Sequence, residues 1–250
     1  MTARKKIIII GATSAMATQC ARLWAQQSSV ELVLVGRDTA RLERLAHDLT
    51  ARNAETLVQT LVTSFTDASA IQSLATSLAA QSAIDIVLIA HGSLTDQVKA
   101  QSDLQLCKEE LDINGVSPVL FAEAFAQQMA EADHGTLAII GSVAGDRGRR
   151  SNYVYGAAKG LVTRYTQGLQ HRFAGTQVKV VLIKPGPTET PMTAALTARG
   201  VKMASVVEVA QGIVAAIDSG KSVAYMPKKW WLIMMIIRHL PAFIFNKLNI

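Results

Sequence analysis

Two side chains four residues apart, Tyr155 and Lys159 in the stretch Ser151-Asn152-Tyr153-Val154-Tyr155-Gly156-Ala157-Ala158-Lys159-Gly160, could together handle a proton. If this stretch opens a helix, as the Ala-rich run through Leu169 predicts, the spacing puts phenol and ammonium on one face, about 5–6 Å apart at Cβ. A phenol starts near a pKa of about 10, and a neighbouring cation favours the phenolate, bringing the group toward the range of a working general acid. An exposed helix pair would show the same spacing, so the surroundings must decide.

Several other residues could join such a site. Ser142 closes the apolar run Ile139-Ile140-Gly141-Ser142, thirteen residues before Tyr155, where its hydroxyl either faces the phenol or serves a turn. Asn114, in Leu111-Asp112-Ile113-Asn114-Gly115, interrupts a helical pattern and is either a buried amide or a helix-surface one. His91, in Ala90-His91-Gly92, has no carboxylate or serine at a spacing that would make it a base, so a pocket-lining or structural role is preferred.

The elements that must position these groups follow from hydrophobic periodicity. Strands are expected at Lys6–Ile10, Glu31–Val35, Thr56–Val62, Ile84–Ala90, Thr136–Gly141, Gln177–Ile183 and Val223–Met226. Helices are expected after the Gly11–Ala17 turn to about Gln27, then at Thr39–Arg52, Asp67–Gln81, Leu104–Ala130 with Pro118 inside it, Tyr153–Phe173 and Ser205–Ser219. Strict alternation with short links argues for an α/β fold, a single doubly wound parallel sheet of the Rossmann type carrying a C-terminal apolar helical tail. Ligands of such a sheet bind at the carboxyl ends of its strands, and the candidates above fall on that edge.

Gly11 follows the first strand, where a tight turn lets backbone approach a pyrophosphate and the next helix aims its positive end at it. The loop Gly11, Thr13, Ser14 and Met16 is therefore read either as a nucleotide loop or as an ordinary strand–helix turn; Ala15 and Ala17 stand where such loops usually carry glycine. After the second strand an NAD site wants an acid for the ribose hydroxyls. Here Gly36 is followed by Arg37, which suits a 2′-phosphate and so NADP(H) over NAD(H), unless the arginine is simply solvated. Asp38 is expected to cap the helix that begins at Thr39.

Composition narrows the classes. The 250 residues carry a net charge of +6 and are half hydrophobic, without the run of ~20 apolar residues a spanning helix needs. Cys20 and Cys107 have neither disulfide-framework nor metal spacing, so no metal site is expected and a reducing cytoplasm is. Basic and aromatic residues are not interleaved, and no nucleic-acid surface is expected.

In this order and spacing, Gly11 with its turn, Ala90-His91-Gly92, Asn114, Ser142, Tyr155-x-x-x-Lys159 and Pro185-Gly186-Pro187-Thr188-Glu189-Thr190 resemble the short-chain dehydrogenase/reductase family across about residues 5 to 227. That resemblance implies a catalytic set of Asn114, Ser142, Tyr155 and Lys159. Tyr155 would give a proton to a carbonyl, Lys159 would lower its pKa and hold the nicotinamide ribose, Ser142 would orient the carbonyl oxygen, and Asn114 would anchor a water relay. It also implies that Ser64 and Phe65, in place of the family's Asp-Val, lie near adenine, and that Ala90, His91 and Gly92 replace Asn-Ala-Gly. Pro185, Gly186, Thr188 and Thr190 would close over the nicotinamide. Family members commonly pair through the helices around residues 104–130 and 155–173, so a homodimer or homotetramer is expected.

Residues 1–227 thus form the expected dinucleotide-binding domain, and 228–250 a tail. The tail runs Lys228-Lys229-Trp230-Trp231-Leu232-Ile233-Met234-Met235-Ile236-Ile237-Arg238, and after Asp218 the chain has five basic residues and no acid. Such a helix must be buried or in lipid, and paired Trp with flanking Lys suits a membrane interface. A lid or subunit interface is the other reading. The tail resembles, more weakly, reductases that act beside a flavin oxidase on polyprenyl-phosphate ketopentoses, the decaprenylphosphoryl-2-keto-ribose reductase-like clade. The expectation is an NADPH-dependent reductase of a ketone or keto-sugar, cytoplasmic, with a polyprenyl-phosphate-linked substrate and a peripheral place on the inner membrane face as its finer form. Reduction of acyl, steroid or other apolar ketones, and a non-catalytic nucleotide sensor or scaffold, are the alternatives.

Overall fold

The computed structural model describes residues 4–27, 29–193 and 202–248. Its first strand, β1 (Lys5–Ile10), shows why the sheet is central: Ile7, Ile8, Ile9 and Ile10 are all fully buried. Side chains alternate across a strand, so this burial requires cover on both faces. Ile7 and Ile9 join one apolar cluster, and Ile8 and Ile10 join another.

Around β1 the chain lays down α1 (Ala15–Gln27), β2 (Val30–Gly36), α2 (Thr39–Arg52), β3 (Leu57–Val62), α3 (Ala68–Gln81) and β4 (Ile86–Ile89). The short α4 (Gln97–Ala100), which has no counterpart in the expected elements, precedes α5 (Leu104–Leu111), α6 (Ser117–Ala132), β5 (Thr136–Ile140) and α7 (Tyr153–Arg172). Then come β6 (Lys179–Pro185), α8 (Val206–Asp218), β7 (Val223–Met226), α9 (Lys229–His239) and α10 (Ala242–Phe245). The seven strands are parallel in the order β3-β2-β1-β4-β5-β6-β7. The order reverses between β1 and β4, which opens a crevice beyond their carboxyl ends.

Helix starts follow local chemistry. Asp38 accepts a hydrogen bond from the backbone of Arg41 and so caps α2, as expected. Asp67 and Asp103 do the same for α3 and α5. The expected single helix over Leu104–Ala130 is not formed. Instead α5 and α6 are joined by a π-helical turn at Asp112–Val116, with Ser117 N donating to Asp112 O. Pro118 falls in the first turn of α6, where its missing N–H is no loss.

The tail also departs from expectation, since it is neither wholly buried nor wholly exposed. Met234 is fully buried beside Val143 and Tyr225, with Trp230 and Ile237 packed on the same cluster. The opposite face of α9 leaves Trp231, Leu232 and Ile236 each more than half exposed, and Phe243 of α10 is 70% exposed. Residues 249 and 250 of the tail lie outside the described residues. No described helix is long and apolar enough to cross a membrane.

Candidate active site

Helix α7 begins one residue after Asn152 and places Tyr155 and Lys159 one turn apart, just beyond β5. Lys159 is buried, donates from Nζ to Ile140 O at 3.2 Å, and lies 5.8 Å from the centre of the Tyr155 ring. Burial brings its pKa down to about 8. The expectation that the ammonium would lower the phenol's pKa needs correction. Burial pushes Tyr155 up, and the group that pulls it back is the Ser142 hydroxyl. Tyr155 therefore keeps its proton at neutral pH, the state a general acid requires.

Ser142 lies at the end of β5, almost fully buried, and its Oγ accepts from Ala144 N at 3.1 Å, fixing the turn Val143–Asp146. Asn114 sits in the π turn and is fully buried, which selects the buried amide over the surface one. Its Oδ1 accepts from Ser93 N at 2.8 Å, while Nδ2 donates to Glu110 Oε2 at 2.8 Å, Ser93 Oγ at 3.0 Å and Glu110 O at 3.1 Å. The same Glu110 oxygen accepts from Ser93 Oγ and Thr95 Oγ1, both at 2.7 Å. Glu110 and Ser93 together hold the amide with its NH₂ toward the Glu110 carboxyl and its oxygen toward Ser93 N. A Cβ on Gly92 would stand 2.8 Å from Asn114 Oδ1 and 3.7 Å from Lys159 Nζ. The amide oxygen and the ammonium thus meet across Gly92, and only glycine leaves room.

The other end of the rim gathers the residues expected around a dinucleotide. Gly11 has φ +80°, and a Cβ there would meet the His91 backbone and Cβ at 2.7–2.8 Å. Ser14 Oγ accepts from Ala17 N at 3.3 Å at the start of α1, Thr13 O accepts from Arg41 Nη2 at 3.2 Å, and Met16 packs partly on the core. Arg37 is exposed at the end of β2, with its guanidinium 5.8 Å from the centre of the Phe65 ring. Ser64 Oγ accepts from the backbone of Thr66 and Asp67. Ala90 and His91 follow β4, and the His91 ring meets Phe65 and Phe121 edge to face at 4.6 and 5.5 Å. His91 Nε2 pairs with Ser117 Oγ at 2.8 Å, while its buried Nδ1 has no partner among the described residues. Burial above all, then the Lys159 and Arg37 charges, lowers its pKa to about 3. The histidine is neutral, and Ser117, twenty-six positions on, is a serine partner that spacing along the chain did not show.

The loop after β6 carries Pro185, Gly186, Thr188 and Thr190, with the hydroxyls of Thr188 and Thr190 bonded within the loop, to Gly186 O and Thr193 Oγ1. A Cβ on Gly186 would lie 2.0 Å from Trp230 Nε1. The tail therefore reaches the rim, a contact that no local pattern announces. Behind Ser142, Asp146 joins Lys184 in a buried ion pair and accepts from Tyr225 OH at 2.8 Å. Glu110 and this Asp146–Lys184–Tyr225 set are the residues that reading along the chain missed, and Trp230 was read only as part of the apolar tail. The missed residues act across 4 to 79 positions of sequence, so their only advance signal was charge inside apolar surroundings.

A dinucleotide fits this rim on its own evidence: a positive-φ glycine in the switch-point crevice, a cation at the end of β2, and an unsatisfied buried nitrogen on His91. Fold and site together define a Rossmann-type oxidoreductase. The family profile described as short chain dehydrogenase matches residues 5–200. Curated relatives include an uncharacterised oxidoreductase of Streptomyces coelicolor, 28% identical over 98% of this chain and 96% of its own. Another, from Mycobacterium tuberculosis H37Rv, is 29% identical over 99% of this chain and 98% of its own. Among solved structures, a short chain dehydrogenase from Burkholderia cenocepacia in complex with NADP aligns with a TM-score of 0.83 at 17% identity, covering 99% of this chain and 98% of that one. One from Sphingobium yanoikuyae in complex with NADPH gives 0.78 at 21% identity, covering 95% and 97%. At such identities these structures speak for the fold. The chain belongs to the short-chain dehydrogenase family.

Proposed function

We propose that this chain is an NADPH-dependent reductase of a ketone, with Tyr155 as the proton donor. The observation that carries the reading is the protonated Tyr155 beside Ser142 and Lys159, on the same rim as the Gly11–His91 crevice. Bound nicotinamide would supply hydride to the carbonyl carbon. Tyr155 gives its proton to the carbonyl oxygen, Ser142 donates a hydrogen bond that orients that oxygen, and Lys159, held by Ile140 O, keeps a positive charge beneath the developing alkoxide. Asn114, fixed by Glu110 and Ser93, holds its oxygen toward Lys159.

For the cofactor, the Gly11–Met16 turn would take the pyrophosphate and Arg37 the 2′-phosphate. Phe65, Ser64, Ala90 and His91 would border adenine and its ribose, and the Pro185–Thr190 loop the nicotinamide. Arg37 after Gly36 supports NADP(H) over NAD(H), and two of the structural neighbours are described with NADP or NADPH. We read residues 1–227 as the dinucleotide-binding unit and 228–250 as an extension packed on it.

For the substrate, the exposed apolar face of α9 and the basic residues around it support a lipid-linked keto-sugar met at a bilayer surface. An apolar ketone with α9 as one wall of its pocket is the second reading, favoured by Trp230 at Gly186. A homodimer or homotetramer through α5–α7 would cover the exposed Leu104, Val116 and Leu161, and sedimentation decides that point.

Tyr155→Phe tests the chemistry. Turnover with NADPH on a panel of ketopentoses and small ketones should fall by roughly 10²–10⁴-fold, while NADPH binding, read by fluorescence, stays unchanged. Unaltered turnover, or a folded wild-type protein that does not bind NADPH, would sink the reading; a nucleotide sensor would lose nothing measurable.

A further inference from the structure

Between Ser142 and Tyr155 the chain places Arg147, Arg149 and Arg150 within four positions. Arg147 is fully employed. Its Nη1 donates to Ile237 O and Leu240 O, each at 2.6 Å, and its guanidinium stacks 3.7 Å from the centre of the Phe245 ring. Those carbonyls belong to the end of α9, where a helix leaves acceptors unsatisfied, so Arg147 is a clasp for the tail.

Arg149 has no such employment. Its Nη2 reaches Met234 Sδ at 3.5 Å, a weak acceptor, and its Nε is buried without a hydrogen-bond partner among the described residues. No described carboxylate lies within 4.0 Å of it. The acid whose charge it senses, Asp146, already has one oxygen on Lys184 and the other on Tyr225. Burial holds the guanidinium below its ordinary pKa, against the pull of Asp146.

Two neighbours share this condition. Asn152, whose N–H donates to Arg149 O at 3.1 Å, keeps a buried Oδ1 without a partner. Gln97 uses Oε1 to accept from Val154 N at 3.0 Å, and its buried Nε2 is unpartnered. Three of the six unpartnered buried side-chain atoms among the described residues thus collect on the short approach to Tyr155. Met234, against which Arg149 lies, packs with Val143, the residue after Ser142. A guanidinium half withdrawn from water, whose nearest acid is already committed to Lys184 and Tyr225, is short of partners, and five fixed donors in a plane match the oxygens of a phosphate or carboxylate.

We infer that Arg149 is the substrate-binding residue that receives an anionic group, phosphate or carboxylate, carried by the ketone. The inference rests on the reductase reading for its location and narrows the substrate to anions.

Calorimetric titration tests it, with ribulose 5-phosphate against ribulose, geranyl phosphate against geraniol, and inorganic phosphate alone. In the wild type at least one phosphate ester should bind tenfold or more tighter than its neutral counterpart. Arg149→Gln should remove that preference, and Arg149→Lys should retain part of it. The responding pair tells a soluble sugar phosphate from an apolar one; binding of inorganic phosphate as tight as either ester would overturn substrate recognition. Equal binding of charged and neutral partners, or a preference that survives Arg149→Gln, overturns the proposal. NADPH binding, measured on the same samples, separates the two failures: its loss in the wild type defeats the reductase reading, whereas its retention without anion preference defeats only the role of Arg149. Should Arg149→Gln not fold, phenylglyoxal labelling of the wild type reads the same point. The tighter phosphate ester should protect Arg149 from modification, and absence of protection counts against the site.

Discussion

Around β1 to β4 the rim of the sheet is closed by rings and backbone, with Phe65, His91 and Phe121 edge to face and Gly11 pressed on the His91 main chain. Around β5 to β7 it is closed by polar side chains: Ser142 on its turn, Lys159 on Ile140 O, and Asp146 with Lys184 and Tyr225. The first kind of closure depends on shape and tolerates changes of residue type, which is how Ala90-His91-Gly92 and Ser64-Phe65 can stand where the family pattern differs. The second depends on directed hydrogen bonds and on charge, so a change of residue type there leaves a buried partner unsatisfied.

Glycine substitutions sharpen this contrast most. Gly11→Ala forces an L residue to φ +80° and drives a Cβ into the His91 backbone, so unfolding stability should drop by about 2–3 kcal/mol and the thermal midpoint by roughly 5–10 °C. Gly148→Ala, at the other end with nothing within 4 Å, should stay within about 0.5 kcal/mol. Equal midpoints for the two variants in a melting experiment would break the comparison.

Acid and alkali should separate the same two ends. Lys159 titrates at about 8 in the folded protein, below its ordinary 10.5. Turnover that needs the ammonium should fall about tenfold per pH unit above that point. Between 8 and 10.5 the unfolded chain binds the proton that the folded one does not, so this lysine makes folding more favourable as pH rises, and the lost turnover is not unfolding. His91, lowered from 6.5 to about 3, works at the other end of the scale. Below pH 6.5 the unfolded chain takes up a proton the folded chain refuses, so stability at the cofactor end drains away on acidification. A pH–rate profile beside a pH–stability profile checks both, and a flat alkaline limb would contradict the assignment to Lys159.

The smallest effect is expected at the outer face of α9. Flotation with vesicles containing anionic lipid should carry a fraction of the wild-type protein, less at high salt. Changing Trp231, Leu232 and Ile236 to Ser should remove that fraction while leaving turnover on a soluble ketone intact. Equal flotation of the triple variant, or none by the wild type, would leave the exposed face without a lipid partner.

The alternation of strand and helix was legible because the inner strands are covered on both faces and read as apolar runs of the right length, while the edge strand β3, with Gln59 and Thr60, was legible by its β-branched content. Tyr155, Lys159, Ser142 and Asn114 were legible as residue types at given spacings. Their electrostatics were not. That Lys159 would donate to Ile140 O, and that burial opposed by Ser142 would raise Tyr155, depends on where a main-chain carbonyl and a turn lie in space. The break between α5 and α6 was hidden because a π turn needs no distinctive residue, and Pro118 looked internal to a helix it actually begins. The tail was misjudged because hydrophobicity along a helix reports how much is apolar, not which side finds a neighbour.

Trp230 seated on Gly186 has a practical corollary. The loop over β6 and the last helices share a wall, so trimming the chain after Met226 to ease crystallisation would unroof the cleft it was meant to simplify, stripping cover from Val143 and leaving Arg147 with nothing to grip. An affinity handle is better placed at the opposite terminus, and a shortened enzyme with altered substrate preference would be reporting on its own missing masonry.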